Sequence, residues 1–285
     1  MGYRIGTADG LLEPPHNPID TGPVRVFGDA AVTADGRVLW QVVDSWKVLA
    51  KAPGLLCALD APGGLLVGTE GAHLLRMGRD GLEPVVGFDE IDGRATWYTP
   101  WGGPPDLRSL TITADDVLLA SVHVGGIPRS EDGGASWFPS IDIETDVHQV
   151  RAVTGRSGVV VAAAGVGCCI SGDNGATWTV RAEGLHAPYC RAVAVTDDLV
   201  FVSASEGPRG NKCAIYRAAL AGSGDFRRVT DWVDGNVDTN ALDALDSCVV
   251  FGTLAGAIWR SDDHGATWER VQHGLSPVTS VSITA

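Results

Sequence analysis

The sequence predicts an all-β chain folded as a seven-bladed β-propeller of four-stranded antiparallel blades, one domain spanning residues 1–285. Three observations carry the prediction. The chain has 37 Gly and 15 Pro among 285 residues, too many for a helix-dominated protein, since both weaken helix interiors. A motif Ser-x-Asp-x-Gly-x-x-Trp occurs three times, with Ser130, Asp132, Gly134 and Trp137, then Ser171, Asp173, Gly175 and Trp178, then Ser261, Asp263, Gly265 and Trp268. Its Asp residues stand 41 and 90 positions apart. Each copy follows two short apolar runs separated by turn residues, as in Val150-Arg-Ala-Val-Thr and residues 159–164. Four short strands per unit of about 40 residues is the pattern of a propeller blade.

The elements follow in chain order. Tyr3-Arg-Ile-Gly-Thr-Ala-Asp-Gly10 matches the turn between second and third strands of other units, Val67-Gly-Thr-Glu-Gly71 and Phe251-Gly-Thr-Leu-Ala-Gly256. Residues 29–53, with Trp40 and Trp46, make a poorly matching blade. Clear units follow at 54–88, 106–140, 147–182, 189–233 and 238–272. Two of them carry eroded motif copies, around Asp80 and at Ser223-Gly-Asp225-Phe226. Val278-Thr-Ser-Val-Ser-Ile283 has the pattern of an innermost strand with no second strand after it. The two termini are therefore expected to share one blade and close the ring, which hides edge strands. Seven units of about 41 residues fill the 285 positions. Six blades with an enlarged closing blade is the alternative.

The motif has a local logic. The Asp carboxylate accepts hydrogen bonds from turn amides, the Gly permits positive φ, and the Trp covers the hairpin with a large apolar face. It resembles the Asp-box, or bacterial neuraminidase repeat, found in sialidases, xyloglucan-degrading propellers, sortilin-type receptors and photosystem II assembly factors. The resemblance covers the chain from about Leu55 to its end. It implies a propeller with the motif on an outer hairpin, away from the central site, so it speaks for fold and not for function.

Composition narrows the partners. The formal charge is −14 and Lys occurs three times. A chain this acidic lacks the basic footprint of a nucleic-acid or anionic-membrane binder. No apolar run is long enough to span a membrane, and the N-terminus lacks the pattern of a secretory signal. The six Cys form no C-x-x-C pair, and Cys168 and Cys169 are adjacent. They read as buried reduced thiols of a cytoplasmic protein.

First strands line a propeller's channel, and their starts open on one face with the turns between second and third strands. Aligning Arg108-Ser-Leu, Arg151-Ala-Val and Arg191-Ala-Val places three arginines at one level, with Asn240 next in the series. Three guanidiniums in one funnel suit a carboxylate or other anion. Asp106 and Asp238, two residues ahead of the aligned positions, are the candidate counter-charges. The same face receives His123, His148, Gln149 and Tyr189. His73, His123 and His148 are the candidate ligands of a metal, although no cofactor is required by the sequence. The insertion at 88–105 carries Trp97, Tyr98 and Trp101, which can fold over the funnel and stack on a ligand.

These residues predict a propeller that binds a small anionic molecule, a glycan or an acidic peptide. An enzyme on the same funnel is the alternative, with His148, Tyr189, Asp106 and Asp238 as candidate catalytic groups. It would be a sialidase-like glycoside hydrolase or a small-molecule lyase or cyclase. Sialidases combine an arginine triad with a Tyr nucleophile, but their Arg-Ile-Pro motif is missing here. The nearest string, Gly126-Ile-Pro128-Arg129, leads into an Asp-box.

Overall fold

The last strand of the chain pairs with the first. In a computed structural model, which describes residues 1–14, 19–222 and 224–284, Val278–Thr284 runs antiparallel to Gly2–Thr7, with Tyr3 opposite Ile283 and Ile5 opposite Val281. This closing blade, blade 1, is completed by Gly10–Leu12 and Ile19–Asp20. Six more four-stranded antiparallel blades follow in sequence order. Blade 2 is Val24–Phe27, Ala30–Thr33, Arg37–Val42 and Ser45–Lys51. Blade 3 is Leu55–Leu59, Leu66–Thr69, Leu74–Met77 and Leu82–Pro84. Blade 4 is Leu107–Ile112, Leu118–Val122, Pro128–Ser130 and Phe138–Pro139. Blade 5 is Val147–Ala152, Val160–Ala164, Gly167–Ser171 and Thr179–Arg181. Blade 6 is Tyr189–Val195, Leu199–Ser205, Ala214–Ala219 and Arg227–Arg228. Blade 7 is Leu242–Leu245, Cys248–Gly252, Ile258–Ser261 and Glu269–Gln272. The ring therefore has seven blades, and the six-bladed alternative fails. Blade 2 starts at Val24, ahead of the expected 29–53, because Val24-Arg-Val-Phe27 forms its innermost strand.

Innermost strands of neighbouring blades splay too far apart to pair, so their free amides need other acceptors. Side chains of other innermost strands supply them. Ser109 Oγ accepts from the Val150 amide (2.8 Å) and Thr111 Oγ1 from the Ala152 amide (2.9 Å). Ser280 Oγ accepts from Val26 (2.8 Å), and Gln149 Oε1 from both Val193 (3.0 Å) and Asn240 (3.2 Å). The core lies between the blades and consists of small β-formers with a few aromatics, among them Val160, Ala162, Phe201 and Phe251, all fully buried.

The repeated motif forms the hairpin between third and fourth strands. Ser171 Oγ donates to Asp173 (2.8 Å) and accepts from the Gly175 amide (2.8 Å). Asp173 accepts from the Thr177 amide (2.8 Å) and hydroxyl (2.6 Å), and Trp178 Nε1 donates to the Gly175 carbonyl (3.1 Å). The copies at 130–137 and 261–268 repeat this arrangement. Gly175 sits at φ 77°, and a Cβ there would lie 2.3 Å from Leu119 Cδ2, so both conformation and space demand glycine. Third-strand arginines clamp each hairpin to the preceding blade: Arg76 donates to the Gly133 carbonyl (2.5 Å), Arg129 to that of Asn174 (3.3 Å), and Arg217 to that of His264. In the eroded copy of blade 6, Phe226 is buried where the Trp would stand, while Ser223 lies outside the described residues. All six Cys are unpaired and buried. No helix among the described residues is long and apolar enough to cross a membrane.

Candidate functional site

The innermost strands of blades 4, 5 and 6 begin with a β-bulge, and that bulge decides which of their side chains share a level. In blade 4 the register shifts between Leu107 and Ser109, in blade 5 between Val147 and Gln149, and in blade 6 between Cys190 and Val193. Arg108, His148 and Arg191 are the bulge residues. Arg151 stands opposite Val161, three residues further in, at the level of Thr111. The aligned arginine trio is therefore split. Arg151 pairs with Asp243 (3.0 Å) and lines a separate space with Gln149, Val281 and Ser282.

Arg108 and Arg191 do meet. With Arg25, Asp106, Asp238, Thr239 and Asn240 they line a polar cavity of about 130 Å3, room for on the order of four waters or one small anion. Arg25 takes the place expected of Arg151. The alignment of first strands does not include it, because its strand lies ahead of the predicted blade. The alternation in Val24-Arg-Val-Phe before the Gly28-Asp29 turn was the available signal. Arg191 donates to Asp238 (2.6 Å) and to the Pro208 carbonyl (2.9 Å), so the polar insertion after blade 6's second strand touches the mouth. Burial alone would raise the Asp238 pKa. The guanidinium of Arg191, the Thr239 amide and Arg108 outweigh it and hold the carboxyl below its usual range. Arg108 differs. Its half-buried guanidinium has neither an ion-pair nor a hydrogen-bond partner among the described residues. Burial lowers its pKa, against the pull of Asp238 and Asp106. Asp238, Asp106 and Asp146 offset part of that desolvation through space, but none of them is in direct contact with the guanidinium.

A second cluster adjoins the first. Tyr189, over whose ring Arg191 lies at 6.0 Å, donates its hydroxyl to His148 Nε2 (3.1 Å). His148 is fully buried and donates from Nδ1 to the Cys190 carbonyl (2.7 Å). Its Nε2 lies 3.5 Å from one oxygen of Asp146, whose other oxygen lies 3.2 Å from Nε2 of the buried His123. Trp101 packs on the His123 ring, with centroids 4.8 Å apart. Burial drives His148 toward the neutral form against the pull of Asp146. Burial would raise the Asp146 carboxyl, but the two imidazoles hold it far below the usual range. Burial and the Asp146 charge raise the Tyr189 phenol, which stays protonated.

Asp146 is the residue that sequence reasoning missed. It sits just before a first strand, at φ 53°, in Glu144-Thr-Asp-Val-His148, and nothing in that string marks it as the partner of two histidines. The expected third histidine is elsewhere: His73 Nδ1 pairs with Asp89 (2.9 Å), to which Arg94 also binds (3.1 Å). One ligand atom each from His123, Asp146 and His148 lie within 4.8 Å of one another. Gln149 and Asn240 brace the channel, and the Asn240 amide nitrogen donates to the Arg108 carbonyl (3.2 Å).

The insertion at 88–105 divides its aromatics between core and surface. Trp97 is buried against Phe88 and under Arg94, so it packs the loop and is closed to a ligand. Tyr98 is exposed and donates to Glu144 (3.3 Å). Trp101 is 66% exposed and lies on the His123 ring, beside the histidine cluster.

The fold and this mouth define a class, a seven-bladed propeller with a polar opening at one end of its channel. No family model and no curated protein matches the chain. Solved structures do match in fold. An ancestral GH74 enzyme is 14% identical with a TM-score of 0.66, over 96% of this chain and 40% of that one. The GH74 xyloglucanase from Xanthomonas campestris is 16% identical with a TM-score of 0.63, over 95% and 46%. The WD40 β-propeller domain of Doa1 is 14% identical with a TM-score of 0.65, over 98% and 86%. The chain thus spans less than half the length of the two GH74 enzymes. At these identities the likeness is one of fold alone.

Proposed function

We propose that this is an Asp-box propeller that binds a small anionic molecule, a carboxylate or phosphate, in the mouth lined by Arg25, Arg108 and Arg191. The observation that carries the reading is Arg108, whose guanidinium has no direct partner among the described residues. Arg191 and Arg151 each spend their charge on a carboxylate within 3.0 Å, whereas the Arg108 fork faces a cavity of anion size. An entering carboxylate would satisfy it bidentately. Trp101, on the adjoining histidine cluster, offers a face for a ring or chain attached to the anion. The six unpaired thiols support a reducing compartment.

A glycoside hydrolase is supported less well. The GH74 neighbours share the fold, and Asp106 and Asp238 line one cavity. A glycosidase needs a carboxyl of raised pKa as acid, and Arg191 holds Asp238 the other way. A Tyr nucleophile needs a phenol that ionises readily, and the Tyr189 phenol is pushed up. A thermal-shift panel separates the readings. Succinate, citrate or inorganic phosphate should raise the unfolding temperature at millimolar concentration, through binding to the folded state alone. Neutral xyloglucan oligosaccharides should not. Stabilisation by the sugars only, or their hydrolysis, would overturn the anion reading.

A further inference from the structure

We propose that His123, Asp146 and His148 form a site for one divalent first-row transition-metal ion, with zinc the expected occupant. The site shares the mouth with Arg108 but uses different residues and a different chemistry. Three local features converge on it. His123 follows the second strand of blade 4. His148 is the bulge residue of blade 5. Asp146 is held between them by a left-handed turn.

The spacing fits an ion. Two ligands about 2.1 Å from one metal at a tetrahedral angle lie roughly 3.4 Å apart. Asp146 Oδ1 stands 3.2 Å from Nε2 of His123 and Oδ2 3.5 Å from Nε2 of His148, and one ligand atom from each of the three residues lies within 4.8 Å of the others, so a small closure of the cluster would seat an ion. The hydrogen-bond balance points the same way. The Cys190 carbonyl takes the Nδ1 proton of His148, so the neutral ring turns its Nε2 lone pair inward. That is the tautomer a metal requires, fixed by a backbone acceptor as in known metal sites. The Tyr189 hydroxyl meets that lone pair at 3.1 Å, so an entering ion would take the place of this one hydrogen bond. The other ring shows an imbalance: Nδ1 of His123 is buried with no hydrogen-bond partner among the described residues.

The donor set selects the metal class. Two imidazoles and one carboxylate suit zinc, iron or nickel, whereas calcium and magnesium favour all-oxygen shells. Three protein ligands leave a coordination position open. The Tyr189 hydroxyl, 3.1 Å from His148 Nε2, stands beside it as donor or ligand.

The test is calorimetric titration of the full chain with zinc after dialysis against a chelator, paired with the visible absorption of the cobalt-loaded protein. One equivalent of zinc should bind at micromolar affinity or tighter, and cobalt should give the bands of a low-symmetry, four- or five-coordinate site. Asp146→Asn and His123→Gln should each weaken zinc by more than about 100-fold, beyond the loss expected from an outer partner. Arg151→Ala should leave affinity and spectrum unchanged. Asp146 is the more exposed ligand, so D146N keeps the test available if H123Q does not fold, with near-ultraviolet circular dichroism reporting folding. Absence of stoichiometric binding would overturn the proposal, as would undiminished affinity in both variants, which would place the ion elsewhere, for example at His73 and Asp89. No anion is present in the titration, so its outcome is independent of the Arg108 reading.

Discussion

The outer hairpins and the channel mouth use the same residue types to opposite ends. In the hairpins every polar group of the motif is answered by another: Ser171, Asp173, Thr177 and Trp178 form a closed set of bonds, and two further copies repeat it. At the mouth, polar groups are brought together and left incompletely answered. Among the described residues the Arg108 guanidinium lacks a direct partner, as does Nδ1 of His123. A buried polar group without a bond costs on the order of 1–3 kcal/mol. Buried atoms without a partner also occur elsewhere, at Trp46 Nε1 and Asn174 Oδ1, so what distinguishes the mouth is that charged and ligating side chains gather beside one cavity there.

The largest expected effect falls on the hairpins. Trp137 packs edge-on against Phe88 with centroids 5.0 Å apart and is nearly fully buried. Trp137→Ala should cost about 3–5 kcal/mol of stability, as large-to-small changes in cores do, and leave anion affinity per folded molecule unchanged. Urea unfolding together with a binding titration reads both quantities.

At the mouth the ordering reverses. Arg108→Gln should weaken binding of a small carboxylate by about 10- to 100-fold, the worth of a hydrogen bond to a charged group. It should leave the unfolding midpoint unchanged or slightly raised, since it removes an unpaired desolvated charge. Arg151→Ala sharpens the contrast, because it was expected in the funnel and the bulges exclude it. It should leave the same affinity unchanged and cost at most about 1 kcal/mol, the range of a partly exposed ion pair.

The smallest effect is one of pH. Turn hydrogen bonds, first those of Thr177, lower the Asp173 carboxyl from 3.8 to about 2. A carboxyl depressed on folding adds stability above its unfolded pKa and loses it as pH falls through the folded one. The wild-type unfolding temperature should therefore drop between pH 3.8 and about 2 more steeply than that of Asp173→Asn. Parallel curves would mean that the motif carboxylate contributes nothing.

The contrast also explains what could be read in the sequence. The motif, its period and the closing of the ring by Val278–Thr284 and Gly2–Thr7 were legible, because each rests on local spacing. The mouth was legible only in part. Arg108, Arg191 and Asp238 line its cavity, and His123, His148, Tyr189 and Trp101 form the cluster next to it. Arg151 does neither, because bulges at the starts of innermost strands move the register without a mark in the sequence. Asp146 and Arg25 were missed for related reasons: one lies outside the strands, and the other sits in a strand ahead of the expected blade. Trp97 and Trp101, four residues apart in one insertion, part between core and surface, and only the packing of Phe88 and Arg94 decides which goes where.

The central claim is that Arg108 waits for an anion. Its most direct test is isothermal titration of the chelator-treated protein with citrate and with inorganic phosphate, wild type beside Arg108→Gln. Saturable one-to-one binding of at least one of them, weakened by about 10-fold or more in the variant, is the predicted result. No saturable binding of either by the wild type, or equal affinity in the two proteins, would contradict it.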